Sequence, residues 1–127
     1  MEFLNSGTLL PDTLPFSEAV RVGDTIYLSG QMGIVPGRME LVAGGIEAEA
    51  RQTMENIKTT LEAHGLSMGH IAKCTVMLAD MADWPAFNEI YASYFTRPYP
   101  ARSAFGANGL ALGGRVEIEC IAIAGDA

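Results

Sequence analysis

The chain has 127 residues, 49% of them apolar and 18% charged, and a net charge of −7. That length predicts one domain, residues 1–127, with a core that needs no disulfide or metal staple. Eight Lys plus Arg with no basic cluster exclude nucleic acid as the main partner, and no apolar run is long enough to span a bilayer.

Residues 1–16 hold Pro11 and Pro15 and little periodicity, with Phe3 and Leu4 as a short edge strand. No basic flank precedes an apolar leader segment, so the expected location is cytoplasmic, with no membrane partner. The runs Ala19-Val20-Arg21-Val22 and Thr25-Ile26-Tyr27-Leu28-Ser29 flank the turn pair Gly23-Asp24 and predict a hairpin. Gly30 ends the second run; lacking a Cβ, it either admits a ligand or another backbone closely or marks a bulge. Pro36-Gly37-Arg38-Met39 reads as a surface turn.

From Ile46 the period becomes helical. Ala50, Met54, Ile57 and Leu61 share one face, while Glu47, Arg51, Gln52, Glu55, Lys58 and Glu62 lie mainly on the other. Glu47 and Glu49 suit the positive helix start, and Gly65 is a stop after His64. Residues 70–80 read as a strand with Ala72, Cys74, Val76 and Leu78 on one face. A second helix is predicted with Asp83 as N-cap and Pro85 in its first turn. Its apolar stripe is Phe87, Ile90, Tyr91, Tyr94 and Phe95, with Asn88 at the border, and Arg97-Pro98 ends it.

The predicted order β-β-α-β-α-β-β is an α+β two-layer fold, one sheet covered on one face by two helices. The uncovered face, with Met77, Ile121 and Ile123, is too apolar for water and predicts self-association. Cys74 and Cys120 lie in apolar runs and read as buried, reduced thiols. His64 and His70 have no third ligand at a metal-like spacing, so no metal site is expected.

The stretch from Pro100 to Ala124 departs from a core pattern. Arg102 follows a proline in a small-residue segment, and Glu117 and Glu119 sit inside an apolar strand. Buried charge is costly unless it is paired or acts on something. Arg102 is read either as a two-pronged clamp for a small carboxylate or as a strand-edge arginine paired with an acidic neighbour. Glu117 is read either as an acid whose proton affinity is raised by Glu119, suited to general acid–base work, or as part of a solvent-facing edge. Ser29 and Ser103 lack a histidine base, and the link from Gly106 to Gly114 lacks the Lys-Ser/Thr ending of a phosphate loop.

Five pieces taken together are more specific than any one of them. They are Tyr27-Leu28-Ser29-Gly30-Gln31; Ala50-Arg51-Gln52 with Asn56-Ile57; Asn88 with Tyr91 and Phe95; Pro100-Ala101-Arg102-Ser103; and Glu117-Ile118-Glu119 followed by Ile121-Ala122. In this order, over nearly the whole length, the chain resembles the Rid family (reactive intermediate deaminase, YjgF-type proteins). The resemblance implies a chorismate-mutase-like fold with one mixed sheet, a homotrimer with sheets packed inward, and active sites in clefts between subunits. It also implies hydrolysis of 2-imino and enamino acids to 2-oxo acids and ammonia, with no metal or organic cofactor.

Carried onto this sequence, the resemblance makes Arg102 the carboxylate clamp and Glu117 the residue that activates water. Gly30 would position that water or the imine nitrogen, and Ser29 and Asn88 would line the pocket. Two positions depart from the family pattern: Phe16 stands where deaminating members commonly carry tyrosine, and Ala104 where cysteine is frequent. Both are expected to bear on substrate range. Two other readings stand beside this one. One is a related enamine hydrolase of the aminoacrylate or aminomuconate type; the other is a non-catalytic small-carboxylate binding module, which would need Arg102 but not Glu117.

Overall fold

The computed structural model describes residues 1–125, and its element order is the predicted β-β-α-β-α-β-β preceded by the short edge strand at Phe3 and Leu4. In chain order the elements are β1 (Glu2–Leu4), β2 (Ala19–Val22), β3 (Thr25–Leu28), α1 (Gly45–Glu62), β4 (Ile71–Leu78), α2 (Trp84–Ser93), β5 (Ala101–Gly106) and β6 (Val116–Ile123). The strands form a single six-stranded sheet in the order β1-β2-β3-β6-β4-β5. All neighbours are antiparallel except β4 and β5, which run parallel. A parallel pair needs a crossover, and α2 supplies it. Among the described residues, no helix is long and apolar enough to cross a membrane.

The apolar stripes predicted from periodicity form the core. Ala50, Met54, Ile57 and Leu61 of α1 and Phe87, Ile90 and Tyr91 of α2 are buried against Ile26, Leu28, Val76, Leu78, Val116 and Ile118 of the sheet. Burying one such aliphatic side chain contributes about 1.5–3 kcal/mol, so the two stripes seat both helices on one sheet face. The chain turns out of α1 at Gly65, whose φ of 74° is left-handed, and the Leu66 N–H donates back to the Leu61 carbonyl.

Three local expectations are corrected. Ala72 is exposed and Ile71 buried instead, because the register shifts between Ile71 and Lys73; an extra residue at a bulge reverses the alternation on one side of it. Asp83 does not cap α2. Its own backbone is helical, and its carboxylate accepts from Arg115 Nε at 3.0 Å and Nη2 at 3.2 Å. Asp80 caps the short 3-10 turn before α2 instead, accepting from the Ala82 N–H at 2.9 Å. Of the two acids expected at the start of α1 only Glu47 lies in its first turn; Glu49 is buried, and its Oε1 accepts from the Arg115 backbone N–H at 2.8 Å. Arg115 is therefore held from α1 and from the 3-10 turn before α2, which fixes the chain just ahead of β6.

The other sheet face carries Tyr27, Phe105 and Ile123, each more than 40% exposed, with Met77 and Ile121 half-buried among them. This is the apolar face that the sequence leaves without a helix to cover it.

Candidate active site

Arg102 takes its place from the parallel pairing of β5 with β4. It lies opposite Cys74, whose side chain is buried beneath the helices, so Arg102 and Ala104 point to the helix face while Ala101, Ser103 and Phe105 point away. Because β5 is the last strand of the sheet, the guanidinium emerges beside α2. Its carbon lies 4.8 Å from the Tyr91 ring centroid, 5.8 Å from that of Phe87 and 6.0 Å from that of Trp84. None of the ion pairs among the described residues involves Arg102. The strand-edge ion-pair reading therefore fails. Aromatic faces hold the cation without occupying its N–H groups, which leaves a planar fork free for a ligand.

Around that fork lies a cavity of about 300 Å³ lined by Asn88, Tyr91, Ala92, Tyr99, Pro100 and Arg102. Asn88 Oδ1 and the Tyr91 hydroxyl are buried there without a hydrogen-bond partner. Burial first, and the neighbouring Cys74 second, push the Tyr91 phenol well above its ordinary range, so it stays neutral. Beneath it Cys74 Sγ and Cys120 Sγ are 3.1 Å apart, free and buried, in line with the thiol reading. Sharing a hydrogen bond with Cys74, and then burial, hold the Cys120 thiol far above its usual range.

Glu117 belongs to a second cavity. Strand β6 buries Val116, Ile118 and Cys120 under the helices, so Glu117 and Glu119 face the opposite side, in register with Met77 and Thr75. Gln31 bridges to Ile118 through two backbone hydrogen bonds of 2.8 and 2.9 Å, which draws Gly30 against the Glu117 carboxylate. A Cβ at position 30 would collide with that carboxylate, so the glycine serves close approach rather than an ordinary bulge. Burial, and then the charge of Glu119, raise the Glu117 pKa. The sequence predicted the direction and the Glu119 effect; burial is the larger cause.

A layer of hydrogen bonds behind this cavity holds the segments that line it. The buried Asn56 amide donates to the carbonyls of Met32 and Ile34, each at 3.1 Å, and Gln52 donates to Asn56 Oδ1 at 2.8 Å. Ser29 does not line the chamber beside Glu117 (about 260 Å³), whose walls include Phe16, Gly30, Gln31 and Met32. Its hydroxyl donates to the Ser17 carbonyl at 2.6 Å, pinning the segment that carries Phe16. The buried Glu18 next to it accepts from Thr60 at 2.8 Å and Ser6 at 3.0 Å.

Within one chain, then, the sequence-derived residues fall into two groups. Arg102 and Asn88 form one cavity, with Ala104 on the same side of the sheet; Phe16, Gly30 and Glu117 form another, and the sheet separates Arg102 from Glu117. Sequence reasoning treated Tyr91 as core and did not single out Gln31, whose buried Nε2 has no partner in the Glu117 chamber. The available signal for Tyr91 was its position three residues, one helical turn, beyond Asn88.

One cavity thus presents a guanidinium outside the ion pairs of the described residues, and the other a carboxylate of raised pKa, on a six-stranded α+β fold. Residues 9–124 match the family described as endoribonuclease L-PSP, and the chain belongs to that family, to which the Rid proteins of the resemblance belong. It is 45% identical to the 2-iminobutanoate/2-iminopropanoate deaminase of Homo sapiens and 47% to that of Capra hircus, in each case over 87% of this chain and 81% of the relative. Among solved structures it is similar to RidA from the Antarctic bacterium Psychrobacter sp., with a TM-score of 0.90 and 39% identity over 97% of this chain and 99% of that one. It is also similar to E. coli TdcF with bound serine, with a TM-score of 0.90 and 30% identity over 98% of this chain and all (100%) of that one.

Proposed function

We propose that this protein hydrolyses reactive 2-imino acids, and the enamines that tautomerise to them, to 2-oxo acids and ammonia. The active site is composite: the Arg102 cavity of one copy faces the Glu117 cavity of the next in a homotrimer. The observation that carries this reading is the separation of the two groups by the sheet, each with unsatisfied polar atoms and neither complete alone. The uncovered apolar face bearing Tyr27, Phe105 and Ile123 supplies the surface on which copies would meet. The deaminase names of the relatives at 45–47% identity support the chemistry.

In this reading Arg102 forks onto the substrate carboxylate, held flat by Tyr91 and Phe87, while Asn88 Oδ1 accepts from the imine N–H. Glu117 takes a proton from water as the water oxygen bonds to the imine carbon, giving a carbinolamine. It then returns that proton to nitrogen; the hydroxyl oxygen forms the C=O bond as the C–N bond breaks, its proton passes to Glu117 and on to the departing ammonia, and ammonium and the 2-oxo acid leave. A raised pKa suits a group that must both accept and donate near neutrality. Gly30 lets the backbone approach the reacting atoms. The carbon of the protonated imine is already electrophilic, so positioning water beside it supplies much of the rate. The family description also names a nuclease, but a chain of net charge −7 without a basic cluster has nothing to hold a phosphate backbone.

An amino-acid oxidase generating imines from alanine or 2-aminobutyrate, with semicarbazide as competing trap, provides the test. The protein should lower the semicarbazone yield, Arg102→Ala should abolish the effect, and Glu117→Ala should depress it while 2-oxo acid binding persists. Unchanged imine lifetimes with several amino acids would refute the reading. Binding without turnover would instead favour a carboxylate-binding module.

A further inference from the structure

The link between β5 and β6 contains one residue whose backbone conformation is unfavourable for its type. Leu112 has φ 60° and ψ 13°, the left-handed region, and it is the only non-glycine residue with positive φ among those described. Gly109, with φ 149°, and Gly113, with φ 69°, flank it, so the link uses glycine at its other positive-φ positions. A leucine in this conformation is strained, and Leu112 recovers nothing from the core because 49% of it is exposed. Neither propensity nor packing accounts for a leucine here. What accounts for it is the cavity it lines.

That cavity is the Glu117 chamber of about 260 Å³. Besides Glu117, Gly30 and the amide of Gln31, its walls are apolar, among them Leu10, Phe16, Met32, Ile34, Met39 and Leu112. Phe16 and Met39 are also unusually exposed for their types, at 51% and 45%. Three exposed large apolar side chains thus come from three separate segments to the rim of one chamber that contains a single carboxylate. The chamber has far more room than a methyl group fills.

Resting on the imine-hydrolase reading, we propose that this chamber receives the side chain of the substrate and selects apolar chains of leucine or methionine size, with Leu112 as the specificity-determining residue at its mouth. A carboxylate side chain would be disfavoured, since the mainly apolar walls would desolvate it beside the like-charged Glu117 and the unpartnered donor there, Gln31 Nε2, is neutral. Each methylene fitted into such a pocket discriminates by roughly 10-fold or more.

The test measures kcat/KM of the assembled protein on imines generated in place from leucine, methionine, alanine and aspartate. The unmodified protein should favour the leucine- and methionine-derived imines over the alanine-derived one by at least about 10-fold, and should act least on the aspartate-derived one. In Leu112→Gly, which accepts the left-handed backbone, the leucine-to-alanine ratio should fall by about 10-fold. Leu112→Asn, polar and also tolerant of that conformation, should lower the ratio as well, while Leu112→Met should preserve it. Relief of backbone strain should leave the thermal midpoint of Leu112→Gly equal to or above that of the parent. The inference is overturned if Leu112→Gly keeps the parental ratio, or if it melts earlier or dissociates, since Leu112 would then be a fold or interface residue. No turnover of any imine by the parent would sink the underlying functional reading, whereas turnover without preference sinks only this inference.

Discussion

The position of Arg102 and Glu117 on opposite sides of one sheet leads to a quantitative test of the composite site. Consider the two variants Arg102→Ala, expected inactive, and Glu117→Ala, expected depressed, carrying different affinity tags and expressed together, with the activity of each alone as background. In a cyclic trimer each site draws Glu117 from one copy and Arg102 from the next. Any trimer containing both variants has one junction where an Arg102→Ala copy supplies its intact Glu117 to a Glu117→Ala copy supplying its intact Arg102. The other two junctions lack one or both groups, whichever variant is present twice. Trimers purified through both tags should therefore regain about one third of parental activity per assembly. If both groups acted within a single copy, every site would lack one of them and the mixture would stay at background. The assay is the semicarbazide competition, with mass determination on the same fraction to verify that each assembly holds both variants. Background activity in verified mixed trimers would refute the composite site.

Two further outcomes follow from the surroundings of these groups. Glu119 helps to raise the Glu117 pKa, so Glu119→Gln should lower it. Because Glu117 must be ionised to take a proton from water, the acidic limb of the kcat/KM profile should move to lower pH; an unmoved limb would mean that another group titrates there. Asn56→Ala would leave the Met32 and Ile34 carbonyls unpaired behind the chamber, at a cost on the order of 1–3 kcal/mol for each. Denaturant titration should register that loss, and an unchanged midpoint would show that water replaces the amide.

Local sequence determined most of the elements and the inward-facing side chains. The 3.6-residue spacing of Ala50, Met54, Ile57 and Leu61 and the alternation in Val116-Glu117-Ile118-Glu119-Cys120 each encode one buried face, because burial is the dominant favourable term and the period of a helix or strand decides which side chains share it. Arg102 and Glu117 were legible as candidates for the complementary reason, charge set among residues that avoid water. Tertiary structure decided what depends on partners distant in sequence. The bulge at Ala72 is a matter of register between β4 and β6, and Asp83 and Glu49 left their expected helix-end roles because Arg115, remote in the chain, reaches both. The parallel alignment of β5 beside β4 turned Arg102 toward α2, while the antiparallel alignment of β6 turned Glu117 to the far side. Strand alternation specifies which residues share a face, but only pairing specifies which face that is, and so only the folded chain places these two groups on opposite sides of the sheet.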